Sequence, residues 1–406
     1  MPLETLDDAT IGGAAVAVRV DVNSPLAGDG SLADDARLRA HVDTLSELAD
    51  RGGRVAILAH QGRPGGDEFA RLEPHAERFD ELLDAPVSYL DATHNQQARE
   101  SIEALDDGEV LVLENTRFYS EEYMEFDAVV AGGTHLVEGL VPALDCYVND
   151  AFAAAHRSQP SLVGFQQHLP SYAGRVMEAE LSVLGNVEET PRPRVYLLGG
   201  AKVTDSIDVA WDVLESGMAD QVLTTGVVGN VFLLADGVDI GDASSDFIYD
   251  EGYWDEIDRA ADLLDAHGDQ IRFPQDVAVE RDGERHELGL NALPGRGGEA
   301  AMDVGSETIR LYRGVIESAE TIILNGPAGV FEDDNFGRGT RELYAAASEV
   351  GHSIVGGGDT AAAIRKFGLS GFDHLSTGGG ACLQMLTNGD LPAVEALREA
   401  PAFEAE

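Results

Sequence analysis

Short runs rich in β-branched residues recur along the whole chain, and nearly all of them end in Gly, Pro, Asn or Asp. The segments between the runs are rich in Ala, Leu and Glu, with apolar residues at helical spacing. This alternation is typical of parallel sheets covered by helices, because parallel neighbours need a crossover connection. The first half has runs at Ala15–Val22, Val55–Ala59, Val110–Leu113 and Cys146–Val148, with helices predicted at residues 33–51 and 95–106. The second half has runs at Val195–Leu198, Gln221–Thr224, Ile271–Phe273, Thr321–Leu324, Ser353–Val355 and His374–Thr377.

The length of the chain predicts two domains, because 406 residues exceed what one core usually serves. We therefore expect an α/β fold of two doubly wound, Rossmann-like parallel sheets. Residues 174–188 have the pattern of one amphipathic helix, and prolines follow it, so a helical hinge between the domains is predicted. The expected division is residues 1–172, a joining segment 173–190, residues 191–388, and a C-terminal segment 389–406 that packs back toward the first domain.

The charge balance excludes several classes of partner. The chain has 27 basic and 74 acidic residues, a net charge of −47, and its only lysines are Lys202 and Lys366. Binding to nucleic acid or to an anionic membrane is disfavoured, because both depend on an excess of positive charge. A surface so acidic and poor in lysine is typical of adaptation to molar salt, where self-repulsion is screened.

The N-terminus and the hydropathy pattern predict a cytosolic protein. Glu4 stands where a signal peptide would carry basic residues, and no stretch of about 20 apolar residues occurs. We expect no membrane partner.

The residues that follow the first-half strands suggest an anion site. Ligands of open α/β sheets bind beyond the carboxyl ends of the strands, and three of the four ends here carry an arginine. For one arginine, an ion pair with a nearby acid is the simpler interpretation; for the set, bidentate grip of a phosphate or carboxylate is favoured. The four strand ends are Asp21-Val22-Asn23, His60-Gln61-Gly62-Arg63-Pro64, Glu114-Asn115-Thr116-Arg117, and Asn149-Asp150 with His156-Arg157.

The second-half strands end in glycine-rich loops. Glycine lets backbone amides approach phosphate oxygens, and a helix that starts after such a loop directs its N-terminal dipole at them. Neither lysine lies in a Walker P-loop motif. The loop at residues 356–361 (Gly-Gly-Gly-Asp-Thr-Ala) fits GxGxxA, which keeps an NAD-dependent dehydrogenase as an alternative. The next strand, however, ends in Ser376-Thr377 where a ribose-binding acid would be expected, and this favours a mononucleotide.

Eight short blocks follow one another in order along the chain: residues 19–25 (RVDVNSP), 60–64 (HQGRP), 113–118 (LENTRF), 149–152 (NDAF) with His156-Arg157, 199–203 (GGAKV), 325–331 (NGPAGVF), 356–360 (GGGDT) and 376–381 (STGGGA). Taken together, over essentially the whole chain, they resemble the phosphoglycerate kinase family in its halophilic archaeal form.

The resemblance implies reversible phosphoryl transfer between 1,3-bisphosphoglycerate and Mg·ADP, by a monomer that takes ATP or ADP as co-substrate and Mg²⁺ as cofactor. It implies that Glu332 binds the ribose hydroxyls, Asp359 the metal and Thr360 a phosphate. The implied substrate ligands are Asp21, Asn23, Arg37, His60, Arg63, Arg117 and Arg157. The implied nucleotide ligands are Lys202, Asn325, Glu332, Gly357, Gly358, Asp359 and Thr360. The implied catalytic residues are Arg37, Lys202, Gly378, Gly379 and Gly380. The neighbouring Arg39 is an alternative to Arg37 for the catalytic arginine.

Overall fold

The computed structural model describes residues 3–293, 299–387 and 389–401. By its internal contacts the chain divides into two compact units, Met1–Ser182 with Asp390–Glu406, and Val183–Gly389. The division falls inside the helix Arg175–Leu184, which lies within the segment predicted to join the domains. The domain boundaries expected from the sequence remain a prediction.

The first unit contains a six-stranded, all-parallel sheet in the order β3-β4-β2-β1-β5-β6. From β1 the chain adds β2 beside it and β3 at the edge, inserts β4 between β2 and β3, and then adds β5 and β6 on the other side of β1. Its strands are β1 (Ala15–Arg19), β2 (Arg54–Leu58), β3 (Val87–Leu90), β4 (Val110–Leu113), β5 (Cys146–Asn149) and β6 (Ser171–Ala173).

Both faces of this sheet are buried, as the unbroken apolar runs predict. Val16 and Val18 of β1 pack into one core, and Ala15 and Ala17, which point the opposite way, pack into another. The helices that cover the faces and complete the unit are α1 (Ala36–Ala40), α2 (Val42–Asp50), α3 (Glu73–Leu82), α4 (Gln96–Glu103), α5 (Ala128–Gly132), α6 (His135–Leu140), α7 (Pro160–Val163) and α8 (Arg175–Leu184).

Local details of the first unit differ from the sequence expectation. The helix predicted at residues 33–51 is broken into α1 and α2 at His41, whose ring is held by Asp150 and by the backbone of Asp21. Strands β3 and β6 were missed, because β3 is only half-buried and β6 has three residues.

The second unit repeats the architecture with the sheet order β15-β14-β13-β7-β8-β9, again all parallel. Its central strands β7, β8, β13 and β14 confirm four of the predicted runs. A small antiparallel sheet, β11-β10-β12, is added beside it and was not predicted. The strands are β7 (Arg194–Leu198), β8 (Gln221–Thr224), β9 (Ile271–Arg272), β10 (Asp276–Arg281), β11 (Glu284–Gly289), β12 (Ala301–Val304), β13 (Thr321–Asn325), β14 (His352–Gly356) and β15 (His374–Leu375).

Helices flank this sheet, and α13, α14 and α15 contribute to the core formed by β7, β13 and β14. They are α9 (Val203–Glu215), α10 (Gly226–Ala235), α11 (Asp242–Asp250), α12 (Trp254–His267), α13 (Ser306–Ile316), α14 (Arg338–Ala347), α15 (Gly358–Phe367) and α16 (Gly379–Leu386). The last helix, α17 (Pro392–Arg398), belongs to the first unit, where Ala393 N donates to Ala155 O at 3.1 Å. The predicted fold class, two doubly wound parallel sheets, is confirmed.

In each sheet the strand order reverses beside the first strand of that unit. The reversal lies between β1 and β5 in the first sheet and between β7 and β13 in the second. A crevice for a ligand opens at such a point. Among the described residues, no helix is both long and apolar enough to cross a bilayer.

Candidate active site

Arginines converge at the carboxyl end of the first sheet. Arg19 ends β1, Arg63 follows β2, Arg117 follows β4, and Arg157 follows β5. A fifth, Arg37, comes from α1. Arg37 is the only one of the five with a carboxylate ion pair among the described residues. Five guanidinium groups at one edge, in a chain of charge −47, mark an anion site.

Arg19 and His60 form the buried floor of this cluster. They are 2 % and 3 % exposed, and Arg19 Nη2 lies 2.8 Å from His60 Nδ1. Burial, together with the charges of Arg19, Arg117, Arg157 and Arg37, holds the pKa of His60 well below its usual range. The imidazole is therefore neutral at physiological pH.

Arg117 and Arg157 show the same mutual repulsion. Burial and the charges of Arg157, Arg19 and Arg63 lower the pKa of Arg117 to about 10. Arg117 Nη1 donates to the Gly62 carbonyl at 2.8 Å, and its guanidinium lies 5.9 Å from the Tyr123 ring centroid. Burial also lowers the pKa of Arg157; the charge of Asp21 opposes this shift, and the charges of Arg63, Arg19 and Arg37 add to it. A bound anion would relieve this repulsion.

The two candidate arginines of α1 have different surroundings. Arg37 forms an ion pair with the buried Asp21, and its side chain is 38 % exposed. Arg39 pairs with Asp35 on the surface and is 55 % exposed. Arg37 therefore belongs to the cluster and Arg39 does not.

Asn23 and Gly62 shape the rim of the cluster. Asn23 Oδ1 accepts from Gly62 N at 2.8 Å, and Asn23 N donates to Asp21 Oδ1 at 3.2 Å. Gly62 has φ +68°, and a Cβ there would collide with the backbone at Glu68 and Phe69. The structure thus brings all seven sequence-predicted substrate ligands to one edge of the sheet.

The second unit presents helix N-termini at the equivalent edge. The N-cap residues of α9, α10, α15 and α16 are Lys202, Thr225, Gly357 and Gly378. Neither Lys202 nor Thr225 caps its helix through its side chain, and the two glycines have no side chain. In α10 the amides of Gly226 and Val227 already donate to the carbonyls of Ala328 and Gly200. The first turns of α9, α15 and α16 are therefore the ones that offer amides to an anion such as a phosphate group.

Lys202 and two glycine loops lie together in this region. A Cβ built on Gly379 would lie 3.8 Å from Lys202 Nζ and 3.6 Å from Gly357 Cα. A Cβ on Gly357, which has φ +94°, would lie 2.7 Å from Asn325 Oδ1. The ammonium group, the start of α16 and the start of α15 thus surround one small volume, with no side chain on the glycines to fill it.

A cavity of about 270 Å³ adjoins these loops. One wall is apolar, with Val227, Met302 and Phe331, and the carboxylates of Glu332 and Asp359 line it as well. The remaining lining residues are Gly200, Ala201, Gly226, Ala301, Pro327, Gly329 and Val330. An apolar slot beside helix N-termini and acidic side chains suits a nucleotide base, its phosphates and its ribose.

Thr360 has a different environment from the one expected of a phosphate ligand. It is fully buried, and its Oγ1 accepts from Gly326 N at 2.8 Å. In this structure Thr360 stabilises the loop after β13 through this hydrogen bond, and its contact with a phosphate remains a prediction.

Comparison with known proteins decides the family. The family model described as phosphoglycerate kinase matches residues 6–389. The chain belongs to the phosphoglycerate kinase family. It is 65 % identical over 398 residues to phosphoglycerate kinase of Halobacterium salinarum, covering 98 % of this chain and all of that one. The corresponding protein of Natronomonas pharaonis is 61 % identical over 399 residues, covering 98 % and 100 %.

Solved structures of phosphoglycerate kinases agree with the fold. The enzyme from Pyrococcus horikoshii OT3 superposes with a TM-score of 0.92 at 40 % identity, covering 98 % of each chain. The structure from Coxiella burnetii gives 0.80 at 30 % identity, covering 98 % of this chain and all of the other. Family membership makes the chain a phosphotransferase and leaves the dehydrogenase alternative without support.

One member of the cluster escaped the sequence reasoning. Arg19 was seen only as the start of a family block, although an arginine inside an apolar run is itself a signal that its charge is matched elsewhere. The contribution of Met302 and Phe331 to the cavity was also missed, because an apolar residue looks the same in sequence whether it lines a core or a ligand.

Proposed function

We propose that this member of the phosphoglycerate kinase family reversibly transfers a phosphoryl group between 1,3-bisphosphoglycerate and Mg·ADP, giving 3-phosphoglycerate and ATP in glycolysis and gluconeogenesis. The observation that carries the proposal is the convergence of five arginines at one sheet edge, four of them without a carboxylate ion pair among the described residues. A substrate with a phosphate and a carboxylate supplies the missing negative charge at both ends.

In this proposal the first unit binds the three-carbon acid. Arg63, Arg117 and Arg157 grip its phosphate and carboxylate, and His60 donates one hydrogen bond. Asp21 and Asn23 accept a hydrogen bond from the substrate hydroxyl or orient that hydroxyl. Asp21 also holds Arg37, through the ion pair, at the edge of the cluster.

The second unit binds the nucleotide. The amides at Gly357, Gly358 and Gly378–Gly380 contact phosphate oxygens, with Lys202 and Thr360 beside them, and Asn325 shapes the same loop. The apolar wall takes the base, and Glu332 takes the ribose hydroxyls. Asp359 fits a magnesium ligand, because Mg²⁺ is usually bound through one or two carboxylates together with substrate phosphates. When bound, the ion neutralises charge on the phosphates.

The chemistry depends on positioning and on charge. The acceptor is a carboxylate or a β-phosphate oxygen, neither of which carries a proton to remove, so no general base is needed. Arg37, Lys202 and the amides of Gly378–Gly380 each contribute positive potential, which counts most when charge spreads over the equatorial oxygens of the migrating group. His60, being neutral, binds the substrate and does not act as an acid.

A coupled assay tests the reaction. Purified protein in molar KCl, with 3-phosphoglycerate, Mg·ATP, NADH and glyceraldehyde-3-phosphate dehydrogenase, should oxidise NADH only when every component is present. Protein that binds ADP yet produces no 1,3-bisphosphoglycerate would disprove the proposal. Reduction of NAD without the coupling enzyme would instead support a dehydrogenase.

We also propose that the enzyme works in the cytoplasm as a monomer. Both of its substrates are small anions of central metabolism, and each predicted set of ligands is complete within one unit of a single chain. Light scattering at molar salt that gave the mass of a dimer would contradict the monomer.

A further inference from the structure

A chain of buried polar groups leads from the substrate cluster into the first unit. Glu122, Ser161, Arg19 and His60 are 2 %, 0 %, 2 % and 3 % exposed. The two carboxylate oxygens of Glu122 accept from Ser161 N at 2.8 Å and from Ser161 Oγ at 2.7 Å. Ser161 Oγ in turn accepts from Arg19 Nε at 2.9 Å, and Arg19 Nη2 reaches His60 Nδ1 at 2.8 Å.

The direction of each hydrogen bond is set by the groups themselves. A carboxylate only accepts, so the single Ser161 hydroxyl proton points to Glu122. That orientation turns the lone pairs of Ser161 Oγ toward Arg19 Nε. Glu122 therefore supplies negative charge to the buried guanidinium through one intervening hydroxyl, without occupying the guanidinium face turned toward His60.

The same logic determines the tautomer of His60. A guanidinium carries only donors, so His60 Nδ1 must be an unprotonated acceptor, and the ring proton of the neutral imidazole is on Nε2. Among the described residues, Nε2 has no hydrogen-bond partner of its own. This donor is therefore free to bind an anion that enters the arginine cluster.

We propose that Glu122 and Ser161 are positioning residues that orient Arg19, and through Arg19 hold His60 in its Nε2–H tautomer so that it presents one hydrogen-bond donor to the substrate anion. This inference rests on the proposed function, in which His60 contacts 3-phosphoglycerate. The lowered pKa of His60 supports it, because a charged ring would carry protons on both nitrogens and could not accept from Arg19.

The tautomer can be measured directly in the unaltered protein. With ¹⁵N-labelled histidine in the full chain at high salt, and His60→Gln to assign the signal among the 11 histidines, we expect the His60 proton on Nε2. No titration of this ring is expected between about pH 5 and 8, where an ordinary histidine changes charge. Adding 3-phosphoglycerate should shift the Nε2 signal. A proton on Nδ1, or a ring that titrates near its usual pKa, would overturn the inference.

Two variants test the positioning role. Ser161→Ala removes the acceptor of Arg19 Nε, and Glu122→Gln removes the buried negative charge. Each should raise the KM and the Kd for 3-phosphoglycerate by about tenfold or more, with less than about twofold change in the KM for ATP. The ¹⁵N signals of His60 should change in both variants.

The matched controls are Ser158→Ala and Glu125→Gln, close in the chain but outside the hydrogen-bonded series. They should leave substrate affinity and the His60 signals as they are. A purely structural role for Glu122 and Ser161 predicts that the variants have lower thermal stability, while the tautomer of His60 and the Kd for 3-phosphoglycerate stay unchanged. That result would refute the proposal. If Glu122→Gln does not fold, the Ser161→Ala variant and the ¹⁵N measurement of the His60 tautomer in the unaltered protein still test the proposal.

Failure of this inference can be told apart from failure of the proposed function. An unaltered protein inactive in the coupled assay, yet with His60 in the Nε2–H form, would contradict the proposed reaction and leave the orientation of His60 standing. An active enzyme with the His60 proton on Nδ1 would contradict the inferred orientation of His60 and leave the proposed reaction standing.

Discussion

Arg37 carries the most specific expectation at the scale of single residues. A guanidinium directed at the migrating phosphoryl group gains most in the transition state, so Arg37→Ala should lower kcat by about 10³ and change the Kd for 3-phosphoglycerate much less. Arg39→Ala is the control, since Arg39 pairs with Asp35 on the surface. A large loss in Arg39→Ala with little change in Arg37→Ala would reverse the assignment, and effects below about tenfold in both would remove it.

A second residue-scale prediction concerns acid stability. His75 is buried, its Nε2 lies 3.1 Å from Gln61 Oε1, and burial lowers its pKa to about 4. The unfolded chain therefore binds more protons than the folded one between pH 6.5 and about 4. This contribution to stability is complete above pH 6.5 and is lost as the pH falls through that range.

The pH dependence of the free energy of unfolding measures this contribution of His75. At constant high salt, replacing His75 by Gln should reduce the slope of unfolding free energy against pH in that range by up to about 1.4 kcal/mol per pH unit, the value for one proton. The exposed His286, changed to Gln, should leave the slope unaltered. Equal slopes in all three proteins would contradict the burial argument.

At the scale of elements, the N-terminus of α15 is predicted to require glycine. Gly357 combines φ +94° with close approach to Asn325 Oδ1, so Gly357→Ala should strain the loop and raise the KM for nucleotide by about tenfold or more. Gly368, at the other end of the same helix, has φ +63° and open space around it. Gly368→Ala should cost about 1 kcal/mol of stability and leave the KM for nucleotide unchanged. Equal effects of the two substitutions on that KM would show that helix stability, and not the site, is being measured.

At the scale of the whole molecule, net charge predicts dependence on salt. A charge of −47 repels over about 10 Å at 0.1 M salt and over about 3 Å at 1 M. The thermal midpoint should rise steeply as KCl is raised from about 0.1 to 2 M. A midpoint independent of KCl would disprove this expectation.

Ligand binding should also change the molecule as a whole. The substrate ligands and the nucleotide ligands are proposed on different units, so transfer needs the two bound molecules to meet with water excluded. We expect 3-phosphoglycerate and an Mg·ATP analogue together to reduce the radius of gyration more than either alone, because only the ternary complex gains contacts from both. Small-angle scattering at high salt measures this. Identical radii in all four states of an active preparation would contradict closure.

Parts of this protein followed from the sequence alone. The two doubly wound sheets were predictable because buried parallel strands are unbroken apolar runs, as Val110–Leu113 shows. The same reading predicted where both candidate sites lie, since the carboxyl ends of parallel strands share one edge and the residues placed there are arginines in one half and glycines in the other; their roles as ligands remain predictions. The choice of phosphoglycerate kinase came from the ordered blocks.

Other features were decided only by the tertiary structure. The strand β11 escaped prediction because it is largely exposed and rich in charged residues, and only pairing with β10 makes it a strand. Arg19 finds its partners Ser161 and His60 at separations of 142 and 41 residues. Local periodicity holds no information about contacts at such separations. The same is true of the tautomer of His60, which depends on a donor that the fold delivers from another strand.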